Sequence, residues 1–156
     1  ANCLVDLSGS TNELPGVTSG ALDITCLKDG IPAFMGEMGQ GGKIERPYID
    51  AAKRGITNVM RYLGMVEGEI VRPERQVLIT KRKFLRIGKG GFMTMRVASG
   101  DEIPAGTAML DLHYYGDQIE EVKAAADYFM IGTRENPVVS TGDRIAFVGM
   151  EWQEWT

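Results

Sequence analysis

The stretch Gly36-Glu37-Met38-Gly39-Gln40-Gly41-Gly42 holds the residues best suited to do chemistry. Glu37 follows the apolar run 31–35 and precedes a glycine-rich loop, so its carboxylate would stand at a strand end, where clefts commonly open. A partly desolvated carboxylate has its pKa raised toward the working range of a general base. Taken alone, Glu37 also reads as a solvated residue at a strand-to-loop junction. The glycines that follow would let the loop turn tightly or pass close to a substrate, and their N–H groups could face an anion. They are no phosphate-binding fingerprint, because no Gly-Lys-Ser/Thr follows.

Metal chemistry is constrained by a scarcity. The chain has a single histidine, His113, whereas a hydrolytic zinc site takes about three protein ligands, usually His with Asp or Glu. These residues cannot assemble the histidine-rich version alone. Cys3 and Cys26 have no metal-ligand spacing and read as reduced, cytosolic thiols. His113 lies in Leu112-His113-Tyr114-Tyr115-Gly116, at a strand-to-turn transition, and reads as structural or exposed.

The elements that would position these groups fall into two parts. Residues 2–7 form a short apolar run, and 8–20 is a loop rich in Ser, Thr, Gly and Pro. Residues 21–27 suit a strand or a helical turn equally. The run 31–35, entered by a Gly-x-Pro turn, suits a buried strand. A helix follows, with Ile49, Ala52, Ile56, Val59, Met60 and Leu63 on one face at spacings of three and four. Pro47 suits its first position and Gly64 the residue just past its end. From Val71 to Trp152 short apolar strands alternate with Gly-Asp, Pro-Ala-Gly and Asn-Pro turns, which points to a small barrel or sandwich. The expected domains are 1–66 and 71–152, giving an α+β chain in which an α/β segment precedes an all-β one. Inside the second, Ser99-Gly100-Asp101-Glu102-Ile103 recurs as Thr141-Gly142-Asp143-Arg144-Ile145, which implies pseudo-two-fold halves around one core.

Composition removes several classes. With 156 residues, 44% hydrophobic and 24% charged, the chain reads as a soluble globular protein. Its net charge of −4 is scattered, and Lys81-Arg82-Lys83 reads as an exposed strand edge or end, so nucleic-acid binding is not expected. No apolar run approaches the roughly 18 residues that span a bilayer, and the start, Ala1-Asn2-Cys3, lacks the pattern of a signal peptide. The missing initiator Met suggests processing or truncation, and Met removal before Ala explains it as well.

Two groups of segments carry a family resemblance. Pro15-Gly16-Val17-Thr18-Ser19-Gly20-Ala21-Leu22, then residues 30–42 and the helix reaching Arg54-Gly55-Ile56-Thr57-Asn58-Val59-Met60-Arg61-Tyr62-Leu63-Gly64, resemble the late catalytic domain of the succinylglutamate desuccinylase/aspartoacylase family, relatives of the zinc carboxypeptidases. The second group, with Gly90-Gly91-Phe92, Ser99-Gly100-Asp101, Pro104-Ala105-Gly106 and residues 136–143, is similar to the family's C-terminal β domain, a biotinyl/lipoyl-like barrel-sandwich. The resemblance implies the C-terminal portion of a cytoplasmic, zinc-dependent deacylase acting on the amide of an N-acyl amino acid. It implies that Glu37 is general base and then general acid, with substrate contacts from Gly39, Gln40 and Tyr115. In the family zinc is held by His-x-x-Glu and a later His, often after Asp-Leu. Here no His-x-x-Glu occurs and Ser8 follows Asp6-Leu7, so zinc belongs to the complete enzyme and none is expected on this chain alone. A biotinyl/lipoyl-like carrier is the alternative, through Lys123 in Glu120-Glu121-Val122-Lys123-Ala124, though the usual Met-Lys-Met is absent. So is a module for homo-oligomer assembly, through Phe147, Trp152 and Trp155.

Overall fold

The computed structural model describes residues 2–5 and 20–155, with side chains from Leu4 onward. The expected loop at 8–20 therefore lies almost wholly outside the described residues. Those described form two compact units, 20–74 and 2–5 with 75–155.

The first unit contains helix α1 (Leu22–Lys28) and helix α2 (Arg46–Tyr62). Segment 21–27 thus resolves as helix. In α2, Pro47 lies in the opening turn, where a missing N–H costs no internal bond. The helix ends at Leu63 and Gly64, whose φ of 70° needs the freedom of glycine. There Gly64 N–H donates to Arg61 O at 3.0 Å and Met65 N–H to Met60 O at 2.9 Å. This paired closure satisfies carbonyls that the last turn would leave open. Beyond the helix, Asn58 holds the backbone of Val71 by two bonds, donating to its carbonyl at 2.7 Å and accepting from its N–H at 3.0 Å.

One sequence expectation fails in this unit. Residues 31–35 form no strand and are not buried: Phe34 is 76% exposed, and Ile31 and Met35 are exposed as well. A strand needs a neighbour to satisfy its backbone groups, and the described residues of this unit contain no strand for it to pair with.

The second unit is all-β. Strands β1 (Asn2–Val5), β2 (Gln76–Arg86), β4 (Glu102–Ile103), β7 (Tyr128–Thr133) and β9 (Arg144–Glu154) form one mixed sheet in the order β1-β2-β9-β7-β4. Strands β3 (Gly91–Met95), β5 (Ala108–Tyr114), β6 (Asp117–Lys123) and β8 (Val138–Val139) form a second, in the order β6-β5-β3-β8. The chain is mostly sheet with two helices, so the α+β class holds.

Alternation along the strands builds the core between the sheets. One cluster gathers Ile103, Met109, Ala124, Tyr128, Met130, Ala146 and Val148. A second gathers Ile87, Met93, Leu110, Leu112, Val139 and Ile145, and Leu85 and Val122 pack against both. A third, of Val77, Ile79 and Phe129, joins β2 and β7. The repeat is visible here as a shared turn. Asp101 accepts the N–H of Ala98 at 2.8 Å and Asp143 that of Ser140 at 3.0 Å, with Gly100 and Gly142 at φ 96° and 87°. Each turn delivers its isoleucine, Ile103 or Ile145, to a different cluster at 2% exposure. The two turns therefore feed different clusters, each drawing on both halves and joined by shared side chains, where the sequence suggested one core.

The basic triplet is corrected too. Lys81-Arg82-Lys83 lies in the middle of β2, where register shifts against β9 turn Arg82 inward to 4% exposure. Lys81 pairs with Glu151 at 3.0 Å, and Lys83 lies 4.9 Å from the ring centre of Tyr128. A bulge reorients side chains that simple alternation would leave outside. Phe147 stacks on Phe84 at 4.7 Å, Trp152 packs near Phe129 at 6.2 Å and helps close the cluster of Val77, Ile79 and Phe129, and Trp155 is exposed.

Candidate active site

The glycine-rich loop is anchored to the start of α2. Glu45, the residue before the helix, does not cap the helix with its side chain. Instead its Oε2 accepts the N–H of Gln40 at 3.0 Å. Gly39 has φ 65°, and a Cβ there would stand 2.9 Å from Glu45 Oε2 and 3.1 Å from the Tyr48 ring. Only glycine fits this position, through conformation and space together. The loop, Glu45 and Tyr48 thus form one buttressed turn.

Beside it opens a groove of about 240 Å³. It is lined by Gly39, Gln40 and Glu45 from before the helix and by Tyr48, Ile49 and Ile56 of α2. Gln40 is half-buried, while Glu37 stands two residues before Gly39 in an irregular, exposed stretch and does not line the groove. The structure brings Gly39 and Gln40 together here, next along the chain to Glu37. The anchored loop can hold a ligand against the apolar wall of α2.

Tyr115 belongs to the all-β unit. With Gly116 it forms the two-residue turn between β5 and β6, at φ 49° and 94°, closed by the pair Tyr114 and Asp117. Two successive positive φ values match the twist of a hairpin, but the first is costly for a side chain. Tyr115 is 90% exposed, and its ring meets Tyr114 edge-on at 4.5 Å. His113 is half-buried within β5, opposite Phe92 and Gln118. Lys123 ends β6 and pairs with Glu121 at 3.1 Å.

Sequence reasoning missed two carboxylates. Glu45 gave no signal, because a bond to a backbone N–H five residues back follows no side-chain pattern. Asp23, in a segment that suited a strand or a helical turn equally, drew no notice, yet it is only 7% exposed and its Oδ1 has no hydrogen-bond partner.

No family model matches the chain, and none of the curated proteins matches it. Solved structures do. The apo structure of the ectoine utilization protein EutE (DoeB) from Ruegeria pomeroyi aligns with a TM-score of 0.79 at 23% identity, over 97% of this chain and 47% of that one. A succinylglutamate desuccinylase from Silicibacter sp. TM1040 aligns with a TM-score of 0.74 at 20% identity, over 87% of this chain and 43% of its own. The succinylglutamate desuccinylase/aspartoacylase from Rhodobacter sphaeroides gives 0.69 at 20%, over 84% and 42%. The chain has the desuccinylase/aspartoacylase fold. It spans less than half the length of these solved structures, so the fold is present in part.

The described residues do not fit the zinc implied by that resemblance. Among the described residues no three or more His, Cys, Asp or Glu side chains are grouped to hold a metal ion. Asp23 is a single buried carboxylate, and the one His of the chain sits in a strand of the other unit. No described helix is long and apolar enough to cross a membrane.

Proposed function

We propose that this chain is the C-terminal portion of a cytoplasmic zinc-dependent deacylase that hydrolyses the amide bond of an N-acyl amino acid. In this reading residues 1–66 complete a catalytic α/β domain and 71–152 are a barrel-sandwich β domain. The metal ligands come from outside these residues. Glu37 takes a proton from the attacking water on its carboxylate and returns it to the departing amine, which would otherwise leave as an unstable anion. Gly39 and Gln40 hold the acyl amino acid along the apolar groove, and Tyr115 is assigned a substrate contact.

One observation carries the reading: the loop directly after Glu37 is fixed by the Gln40–Glu45 bond and by the fit of Gly39 against Tyr48. Fixing a loop beside a proton-transfer group preserves a reactive geometry without reorganisation. The fold shared with desuccinylases supports the same reaction class. The test uses the complete protein. Glu37→Gln keeps the shape and removes the base, so hydrolysis of an N-acetyl amino acid should fall by about 10²–10⁴-fold, with zinc content unchanged by metal analysis. Unaltered hydrolysis rejects Glu37 as the base.

A further inference from the structure

The polar side of α2 forms one wall of a cleft. Arg54, Asn58 and Arg61 follow at i, i+4 and i+7, along one side of the helix and away from the stripe of Ile49, Ile56, Val59 and Leu63. Residues 69–71 are strapped against that side. Asn58 holds Val71 by both ends of its amide, at 2.7 and 3.0 Å, and Arg61 Nη1 donates to Glu69 O at 2.8 Å. Gly68 turns the chain into this strap at φ 119°, where a Cβ would stand 2.9 Å from Arg61 Nε. Conformation and space both require glycine there. Between helix and strap lies a cavity of about 200 Å³, lined by Lys53, Arg54, Thr57, Asn58, Arg61 and Val71.

Three of the six lining side chains are cations, and none of the six is acidic. Among the described residues no carboxylate pairs with Lys53, Arg54 or Arg61. Arg61 also keeps a donor unspent, because its Nε is buried and has no acceptor. A buried donor left open is a place where an ion or a water belongs. A cleft lined by one sign of charge concentrates the counter-ion within it. Complementing the helix's C-terminal end accounts for Arg61, but that effect fades within the last turn, and Lys53 and Arg54 stand about two turns earlier. We infer that this cleft binds a phosphoryl group, as the free ion or on a small ester. Two guanidinium forks match the oxygens of a phosphate, and Lys53 adds a point charge. A monocarboxylate would leave most of that charge unanswered. The cavity is also smaller than the roughly 300–1,000 Å³ that holds a drug-sized ligand, so the occupant is small.

Titration of the 156-residue chain with inorganic phosphate at constant ionic strength, followed by amide NMR, tests it. The amides of 53–61 and 69–71 should shift together and saturate, while those of β2 and β9 do not move. Arg54→Met removes a charge-assisted contact and should weaken binding about tenfold. Asn58→Leu alters no charge but releases Val71, and it should weaken binding as well. Lys89→Met removes the same charge from the β unit and should change affinity less than about twofold, because salt screens a distant cation. Glycerol 2-phosphate separates the two sources: tighter binding than inorganic phosphate assigns an ester, and equal or weaker binding assigns the free ion. Shifts that do not saturate, or equal losses in Arg54→Met and Lys89→Met, overturn the proposal. So does full affinity in Asn58→Leu, since charge alone would then attract the ion. If Asn58→Leu disturbs the helix itself, Arg54→Met against Lys89→Met decides.

Discussion

The two units spend their apolar residues in opposite ways. In the β unit, Leu110, Leu112, Met130 and Val148 are at 0% exposure and interlock between two sheets. In residues 20–74 the corresponding side chains, from Phe34 to Leu63, face outward. The groups with chemical capacity, Glu37 and the anchored Gly39–Gln40 turn, are on the unit without a core. The β unit has the stability of a domain and one exposed aromatic turn. Among the described residues, then, the buried core and the candidate site belong to different units.

The largest expected effect comes from cutting into the β core. Leu110→Ala leaves a cavity between the sheets and should cost about 2–5 kcal/mol, read from urea unfolding by the fluorescence of Trp152 and Trp155, both in that unit. The matched change in the other unit, Ile56→Ala, removes an exposed side chain and should stay within about 0.5 kcal/mol. Similar costs for the two would break the comparison. A smaller effect tests the repeat. Asp101→Ala and Asp143→Ala each remove a carboxylate that accepts one backbone N–H, and each should cost about 1 kcal/mol. Equal costs would support two equivalent halves, whereas a marked inequality would make one turn dominant.

How much of this was legible depended on the range of the interaction. The bounds of α2 were readable because Pro47, the apolar spacing and Gly64 all act within a turn or two. The paired Gly-Asp turns were readable for the same reason, since Asp101 and Asp143 bond to an N–H three residues back. The stretch 31–35 was misread because composition reports apolarity but not whether a neighbouring strand exists. Arg82 was misread because its burial follows from a register shift against a strand some sixty residues on. At the site, Glu37 and its glycines stood out as a local motif, but the tie from Glu45 to Gln40 and the burial of Asp23 are consequences of folding that no spacing announces.

The smallest effect concerns the outer face of the four-stranded sheet, which is charged and internally satisfied. Arg96 grips Asp111 through two bonds of 2.7 Å and reaches Glu121 at 3.0 Å, and Gln118 also donates to Asp111 at 2.8 Å. The hydrogen bonds to Asp111 raise the Arg96 pKa above its ordinary value, against a lowering by desolvation. A raised pKa on a cation means its stabilisation is complete below the unfolded value and fades only as pH rises through the folded one, far above neutrality. From that group, stability near neutral pH should accordingly be flat. The pair is open to solvent, so salt should matter more than pH. Arg96→Met should lower the urea midpoint slightly at low salt, and the difference from the unaltered chain should vanish near about 1 M salt, where charges are screened within roughly 3 Å. A difference that persists at high salt would mean that Arg96 acts by packing its stem against the sheet. The contrast between the two units would then narrow.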